Sequence, residues 1–322
     1  MRSSLKKLTM LAASLLFAGS AVAADDYPSK PVRIIVPYQA GQGTDIATRY
    51  FADHLSRTLG QPFIVENLAG AGGVIGTQAA ARAEGDGYTL IMGTNATHVL
   101  NQYMYSNTNV DPVKDFKPVI LAGTLPMAIV ANKDSPFKTV QDIIDATKKS
   151  DHAADIATPS TTARLVFELL KARSGAPLFM IPYKGSATAM SNVIGGQVPL
   201  SIDTITASRP QVEGGHLRAI AVTSAKPTEL LPGVAPVADQ GLPDFEVVAW
   251  NALYAPKGTP DAVVAKLNLA LQGFLALPET RDRLHAMGYE PGGGTPDDLG
   301  RFAQNERDKW KPIIENANLK VN

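Results

Sequence analysis

Three short polar stretches and one acid hold the side chains through which this chain could handle a small molecule. Tyr38-Gln39-Ala40-Gly41-Gln42-Gly43-Thr44-Asp45 follows a β-branched run, Thr94-Asn95-Ala96-Thr97-His98 and Thr158-Pro159-Ser160-Thr161-Thr162 are rich in hydroxyls, and Asp203 closes an apolar run. None of them carries a Lys or Arg. Their chemistry is that of fixed donors: a glycine loop that ends at a helix start offers free backbone N–H groups and the positive end of the helix dipole, an anion site that needs no cation. Each has a plainer reading. The glycines equally serve an ordinary strand–helix turn that needs positive φ. Ser160 and the threonines after it equally cap a helix. Asp203 fits a ligand hydroxyl or ammonium as well as it fits a cap. Lys184 reads better as a solvated loop residue, His98 as a structural histidine, and the apolar run around Trp250 and Leu253 as core or hinge.

Enzymatic patterns are missing. The five histidines are scattered with no H-E-x-x-H pair, and there is no G-x-S-x-G elbow and no P-loop. The best enzymatic rival is a dinucleotide-binding oxidoreductase. Gly41-x-Gly43 follows a strand, and Glu66 ends the next one, where a ribose-binding acid would sit. The third glycine position holds Ile46, however, and the second glycine loop fails in the same way at Ile75. No cofactor is expected.

The elements that must position these stretches are legible from periodicity. Val32–Val36 is a short apolar run of the kind buried on both faces of a parallel sheet. Ile46, Ala47, Tyr50, Phe51, Leu55 and Leu59 then recur at helical spacing, with Thr44 or Asp45 as the expected N-cap. Phe63–Asn67 is a second strand, Gly70–Gly76 a second glycine loop before an Ala-rich helix (77–83), and Tyr88–Gly93 a third strand. This β-α-β-α-β order predicts a parallel sheet with polar loops at its carboxyl ends. Strands at 119–121 and 127–131, and later short strands at 154–157, 179–181 and 198–203, repeat the pattern. The polar run 158–162 opens a helix over 163–174. Two α/β lobes facing each other are expected, and the long strand 245–256 is placed to cross back to the first.

The first residues stand apart. Arg2, Lys6 and Lys7 form a basic start, Leu8–Val22 is a short apolar stretch, and Ala21-Val22-Ala23 is a small-residue cleavage site. This predicts a secretory signal peptide over 1–23, cut after Ala23. It carries three of the 30 basic residues and none of the 30 acidic ones, which leaves a net charge of −3. Nothing in that balance points to nucleic acid. The chain has no cysteine, which excludes disulfides, thiolate metal sites and a lipid-modified cysteine after the signal. The expected compartment is a bacterial periplasm, with the protein free in it.

The whole chain after the signal also resembles a known family. Tyr27-Pro28-Ser29-Lys30-Pro31-Val32-Arg33-Ile34-Ile35-Val36-Pro37 resembles the mature start of Bug-type receptors, the extracytoplasmic solute-binding proteins of tripartite tricarboxylate transporters. Gly41-x-Gly43-Thr44-Asp45, Gly70-Ala71-Gly72-Gly73-x-x-Gly76, Asp86-Gly87-Tyr88-Thr89-Leu90, Pro182-Tyr183-Lys184-Gly185 and Trp250-Asn251-x-Leu253-x-Ala255-Pro256 follow in the family's order.

The resemblance implies a two-lobed periplasmic binding fold of the Venus-flytrap type, class α/β, each lobe a mostly parallel sheet flanked by helices. It implies lobes at 24–125 plus 251–322 and at 126–250. It also implies capture of a small organic anion, a carboxylate or dicarboxylate, for delivery to membrane transporter subunits by a monomeric protein that is not an enzyme. A sensor subunit is the other binding role. Carried over residue by residue, the ligand contacts are Tyr38, Gly41, Gly43, Thr44 and Asp45 from the first loop and Thr94, Asn95 and Thr97 from the third. Thr158, Ser160, Thr161, Thr162 and Asp203 come from across the cleft. Two stretches depart from the family. The first loop usually reads Pro-Gly-Gly-Gly-Thr-Asp, and the loop before the hydroxyl helix often carries Gly-x-Gly-Ser. Here they read Gln39-Ala40-Gly41-Gln42-Gly43 and Thr158-Pro159-Ser160-Thr161-Thr162. Pro159 also removes a backbone donor.

Overall fold

Val32–Val36 (β1) is a strand whose Val32, Ile34, Ile35 and Val36 side chains are fully buried, as its unbroken apolar composition requires. It is the axis of a three-stranded parallel group, with Phe63–Asn67 (β2) on one side and Thr89–Thr94 (β3) on the other. The structure, a computed structural model, describes residues 27–106, 108–150, 152–316 and 319–320. The expected signal peptide and its cleavage site lie outside the described residues.

Between β1 and β2 runs helix α1 (Gly43–Leu59), and Val74–Ala81 (α2) precedes β3. The N-cap of α1 is Gln42 rather than Thr44 or Asp45, and Gly43 is already helical. Asp45 is unavailable as a cap because its carboxylate turns back to bind the Gly41 amide (2.9 Å), Arg49 Nε (3.1 Å) and Asn67 Nδ2 (2.9 Å). The stretch after β3, expected as a polar loop, is a π-helical turn, Ala96–Leu100, continued by α3 (Asn101–Met104).

The chain then enters its longest strand, Phe116–Asn132 (β4), where the sequence pattern predicts two. Residues 122–126, which that pattern leaves between the two, lie within the single strand, whose register shifts near Pro118 and Gly123. The first part of β4 pairs antiparallel with Val248–Pro256 (β9), from Phe116 opposite Pro256 to Pro126 opposite Val248. From Met127 onward it pairs instead with Leu200–Thr204 (β7) and Leu217–Val222 (β8). The partner changes at Pro126, which has no N–H to offer either side.

Beyond β4 lie α4 (Val140–Thr147), started by a Thr139–Asp142 capping box, and then β5 (Ile156–Thr158) and α5 (Thr161–Ser174). They lead to β6 (Met180–Pro182), α6 (Ser186–Ile194), β7 and α7 (Ile205–Glu213). Strands β5, β6 and β7 form a second parallel group.

After β9 come α8 (Asp261–Ala276), α9 (Pro278–Ala286), β10 (Glu290–Gly293) and α10 (Pro296–Asn316). Strand β10 runs antiparallel to β4 and ends at Gly293, just before the turn into α10. The fold is therefore mixed α/β. Two sheet halves, β2-β1-β3-β9-β4 with β10 and β4-β7-β5-β6 with β8, share β4, and each contains a parallel group flanked by helices. Among the described residues no helix is long and apolar enough to cross a membrane.

Candidate functional site

The carboxyl ends of β1, β3, β5 and β7 all face the seam between the two sheet halves. The loops that leave them start helices, so helix N-termini accumulate there. A small, partly open pocket occupies the seam. Four helices begin on its wall: α1 at Gln42, Gly43 and Thr44, α5 at Ser160 and Thr162, α6 at Ser186, and α7 at Thr204. Ser160 caps α5 through the Ala163 amide (3.1 Å), and Thr204 caps α7 through the Ala207 amide (3.3 Å). Helices α1 and α6 have no side-chain cap. Their first-turn N–H groups are therefore left for water or a ligand. Each such end favours an anion by roughly 0.3–1 kcal/mol.

Side chains complete the wall. Asn95 is 1% exposed; its Oδ1 accepts a hydrogen bond from Thr162 Oγ1 at 3.1 Å, a bond between the two sheet halves, and its Nδ2 has no partner. Asn251, on β9 opposite Thr94, is buried with its Nδ2 equally unpartnered. Two buried amide donors thus lack a protein acceptor at the pocket, which is where an acceptor on a ligand gains most. Tyr38 Oη and Thr94 Oγ1 are 2.8 Å apart, and burial pushes the phenol's pKa up, so it stays protonated.

Asp203 is the pocket's one carboxylic acid. Its Oδ1 accepts the Thr204 amide at 2.7 Å, while its Oδ2 is buried without a partner. Burial pushes the carboxyl up to about 6, against the opposing pull of the Ser186 hydroxyl, which is nearby but outside hydrogen-bond geometry, and of the Thr204 amide.

The pocket brings together Tyr38, Gly43, Thr44, Thr94, Asn95, Ser160, Thr162 and Asp203 of the residues the sequence singles out. It does not bring Gly41, Asp45 or Thr97. Gly41, at φ 83°, is the loop's turn residue and is exposed. Asp45 holds that turn by the bonds given above, and those of Arg49, the Gly41 amide and Asn67 keep its carboxyl below the usual range despite burial. Thr97 is spent locally, its hydroxyl accepting the Thr94 amide at 2.9 Å and lying 2.9 Å from His98 Nδ1. Thr158 and Thr161 line an adjoining groove instead. His98 is structural: stacked on Tyr254 at 4.0 Å and held neutral by burial, with Arg307 adding to the effect, at a pKa of about 3.

Gln42, Ser186, Thr204 and Asn251 are pocket residues that the sequence reading does not single out. For Asn251 a signal existed: an amide side chain in the middle of the apolar run Val247–Ala255 needs a reason to be buried.

The two halves touch closely around the seam. A Cβ on Gly43 would lie 3.2 Å from Thr204 Oγ1 and from Thr206 Cβ, and one on Gly72 would fall on Tyr105 Oη and on Thr161 Oγ1. Tyr289 Oη donates to the Gly43 carbonyl at 3.0 Å.

Comparison with known proteins agrees with this architecture. The profile of the tripartite tricarboxylate transporter family receptors matches residues 47–319. Protein BugT of Bordetella pertussis is 33% identical over 303 residues, covering 93% of each chain. Among solved structures, R. palustris Rpa4515 with adipate superposes with a TM-score of 0.88 at 33% identity, over 92% of this chain and all of the other. MatC from Rhodopseudomonas palustris with bound malate gives 0.84 at 29% identity, over 89% of this chain and all of the other.

Proposed function

This chain belongs to the tripartite tricarboxylate transporter receptor family, and on that premise we propose that the seam pocket captures a small carboxylate for delivery to membrane transporter subunits. The family is one of solute-binding receptors, extracytoplasmic rather than enzymatic. The observation that carries the reading is the convergence of four helix N-termini, two of them without side-chain caps, on one pocket. A carboxylate supplies the acceptors that those amides and the Asn95 and Asn251 side chains lack. A hydroxyl or ammonium on the same ligand supplies the donor that Asp203 Oδ2 lacks. Lobes at 24–125 plus 251–322 and at 126–250 would then close on the ligand, turning about the crossings at Pro126/Met127 on β4 and just before β9. Closure follows the ligand's greater affinity for the closed form. The periplasm is the compartment this role requires.

Differential scanning fluorimetry against malate, adipate, succinate and citrate tests the reading. A true ligand at about 100 times its dissociation constant adds roughly 2.7 kcal/mol, a change in melting temperature on the order of several degrees for a chain this size. Asn251→Ala is expected to reduce that change strongly. A response to uncharged solutes and none to any carboxylate would overturn the assignment.

Closure makes a second prediction. Gly72 has φ 62° and lies against Thr161 of the other half. Gly72→Ala should cost about 1 kcal/mol of stability for the left-handed backbone. It should also weaken carboxylate binding by about tenfold, because the added methyl props the seam open. Adding Thr161→Ala should restore part of the affinity and none of the backbone cost. Isothermal titration and thermal unfolding of the single and double variants read the two effects. Equal affinities in wild type and Gly72→Ala would mean that the seam does not move.

A further inference from the structure

Resting on the carboxylate-receptor reading above, we propose that Gln42, backed by Gln39, limits the length of ligand that the seam pocket accepts, by closing the pocket against Gly185 of the opposite half. The contact joins two loops that start helices. Gln42 is the N-cap of α1 and Gly185 the N-cap of α6. A Cβ on Gly185 would fall on Gln39 Oε1 and would lie 3.5 Å from Gln42 Nε2. Gly185 is buried, with φ −175°, an extended backbone that any residue adopts. The space a side chain would need there is taken by the two glutamine amides, which reach over from the half that opens the chain.

This contact stands at the pocket's edge. Gln42 and Ser186 line the pocket, whereas Gln39 and Lys184 line the adjoining groove. Gly185 lies between Lys184 and Ser186 in the chain and lines neither space. The seam is thus shut here by side chains of one half laid against bare backbone of the other. Gln42 is 8% exposed, yet its side-chain amide makes no hydrogen bond among the described residues. Only its main chain is bonded, donating to the Gln39 carbonyl at 3.4 Å and accepting the Ile46 amide at 3.0 Å. A buried side chain held by no bond acts through the space it fills, and an apolar one of the same shape can take its place at little cost.

The position of this plug decides what fits. A carboxylate seated at the uncapped ends of α1 and α6 lies beside both N-caps, so a carbon chain that extends from it past Gly185 meets the Gln42 side chain. On the other walls Asn95, Asp203 and Asn251 are buried side chains that leave no way through. The ligand class that fits is a compact carboxylate of about four carbons. A longer chain must displace a packed side chain, and selection of this kind works by a clash built against the wrong ligand rather than by an added contact to the right one.

Isothermal titration with malate, succinate, glutarate and adipate tests the limit, since charge is constant along the series and length is not. Wild type should bind the better of the two four-carbon acids at least about tenfold tighter than adipate. Gln42→Ala should cut that ratio about tenfold through a gain in adipate affinity. Gln42→Met, which keeps the bulk and drops the amide, should hold the wild-type ratio. Both variants should melt near the wild-type temperature, because the side chain caps nothing. If Gln42→Ala weakens every acid alike, or if Gln42→Met behaves as Gln42→Ala does, the amide bonds the ligand and the length limit is overturned while the receptor reading stands. A wild-type preference for adipate or citrate over the four-carbon acids, or equal affinity for all of them, overturns the limit in the same way. Absence of binding by any of these acids overturns the receptor reading and the limit with it.

Discussion

Thr223→Val is expected to lower the free energy of unfolding by about 2–4 kcal/mol, although it exchanges one hydroxyl for a methyl group. Thr223 is fully buried where β4 changes sheets. Its hydroxyl accepts the Met127 amide at 3.1 Å and donates to the Val247 carbonyl at 2.5 Å. Its own backbone bonds the same two strands, donating to the Met127 carbonyl at 2.9 Å and accepting the Val247 amide at 3.0 Å. The hydroxyl therefore adds a second tie between the two segments that cross between halves. A valine side chain fills the same space and leaves the donor and the acceptor short of a buried partner, at about 1–3 kcal/mol each. Urea unfolding should show a lower midpoint with an unchanged slope. Thr223→Ser, which keeps the hydroxyl, should recover most of the loss. A Thr223→Val midpoint within error of wild type would mean that Met127 and Val247 find other partners.

The second large effect has the opposite sign. Asp203→Asn should stabilise the unliganded protein near neutral pH by up to about 3 kcal/mol and weaken the binding of ligands that donate a proton to this side chain. The carboxyl's folded-state pKa is about 6 against an unfolded value of 3.8. A group whose pKa is raised by folding gives its full contribution below the unfolded value. It loses that contribution as pH climbs through the folded one, here between about pH 4 and 7. Every tenfold difference in proton affinity between the folded and unfolded chains is worth about 1.4 kcal/mol. The neutral amide keeps an oxygen for the Thr204 amide and does not titrate. Its advantage should thus be near zero at about pH 4 and reach its full size by about pH 7. Chemical denaturation of both proteins at those two pH values reads it. An advantage equal at both would place the effect in packing rather than in charge. The wild-type acid is then a stability cost held in the pocket, as binding groups often are.

The sequence carries the parallel groups well, because β1 and the α1 periodicity are local patterns. The same patterns divide β4 in two. Residues 122–126 carry no strand pattern of their own, and β9 and β10, more than a hundred residues away in sequence, hold them extended. The pocket is legible wherever a strand end, a polar loop and a helix start are contiguous, as at Gly43–Thr44, Thr94–Asn95 and Ser160–Thr162. It is hidden where a lining residue belongs to a distant strand, as Asn251 does. Thr97 shows the converse limit. A hydroxyl one helical turn from the pocket looks the same in sequence whether it faces a ligand or, as here, the Thr94 amide. The departure at Pro159 matters for what it borders, a groove with two cations that no spacing rule announces.

The bond from Tyr289 to the Gly43 carbonyl joins positions 246 residues apart. It ties the two ends of the chain into one half. The half built from the middle of the chain, from the end of β4 to β8, is contiguous and has all its strands once residue 222 has emerged. The half that opens the chain waits for β9, β10 and α10, so its first helix, which supplies the uncapped amides of the pocket, is pinned last. The ligand pocket is thereby completed from both ends of the chain: a molecule cut before Tyr289 keeps all the strands of one half and loses the bond that holds the first helix of the other.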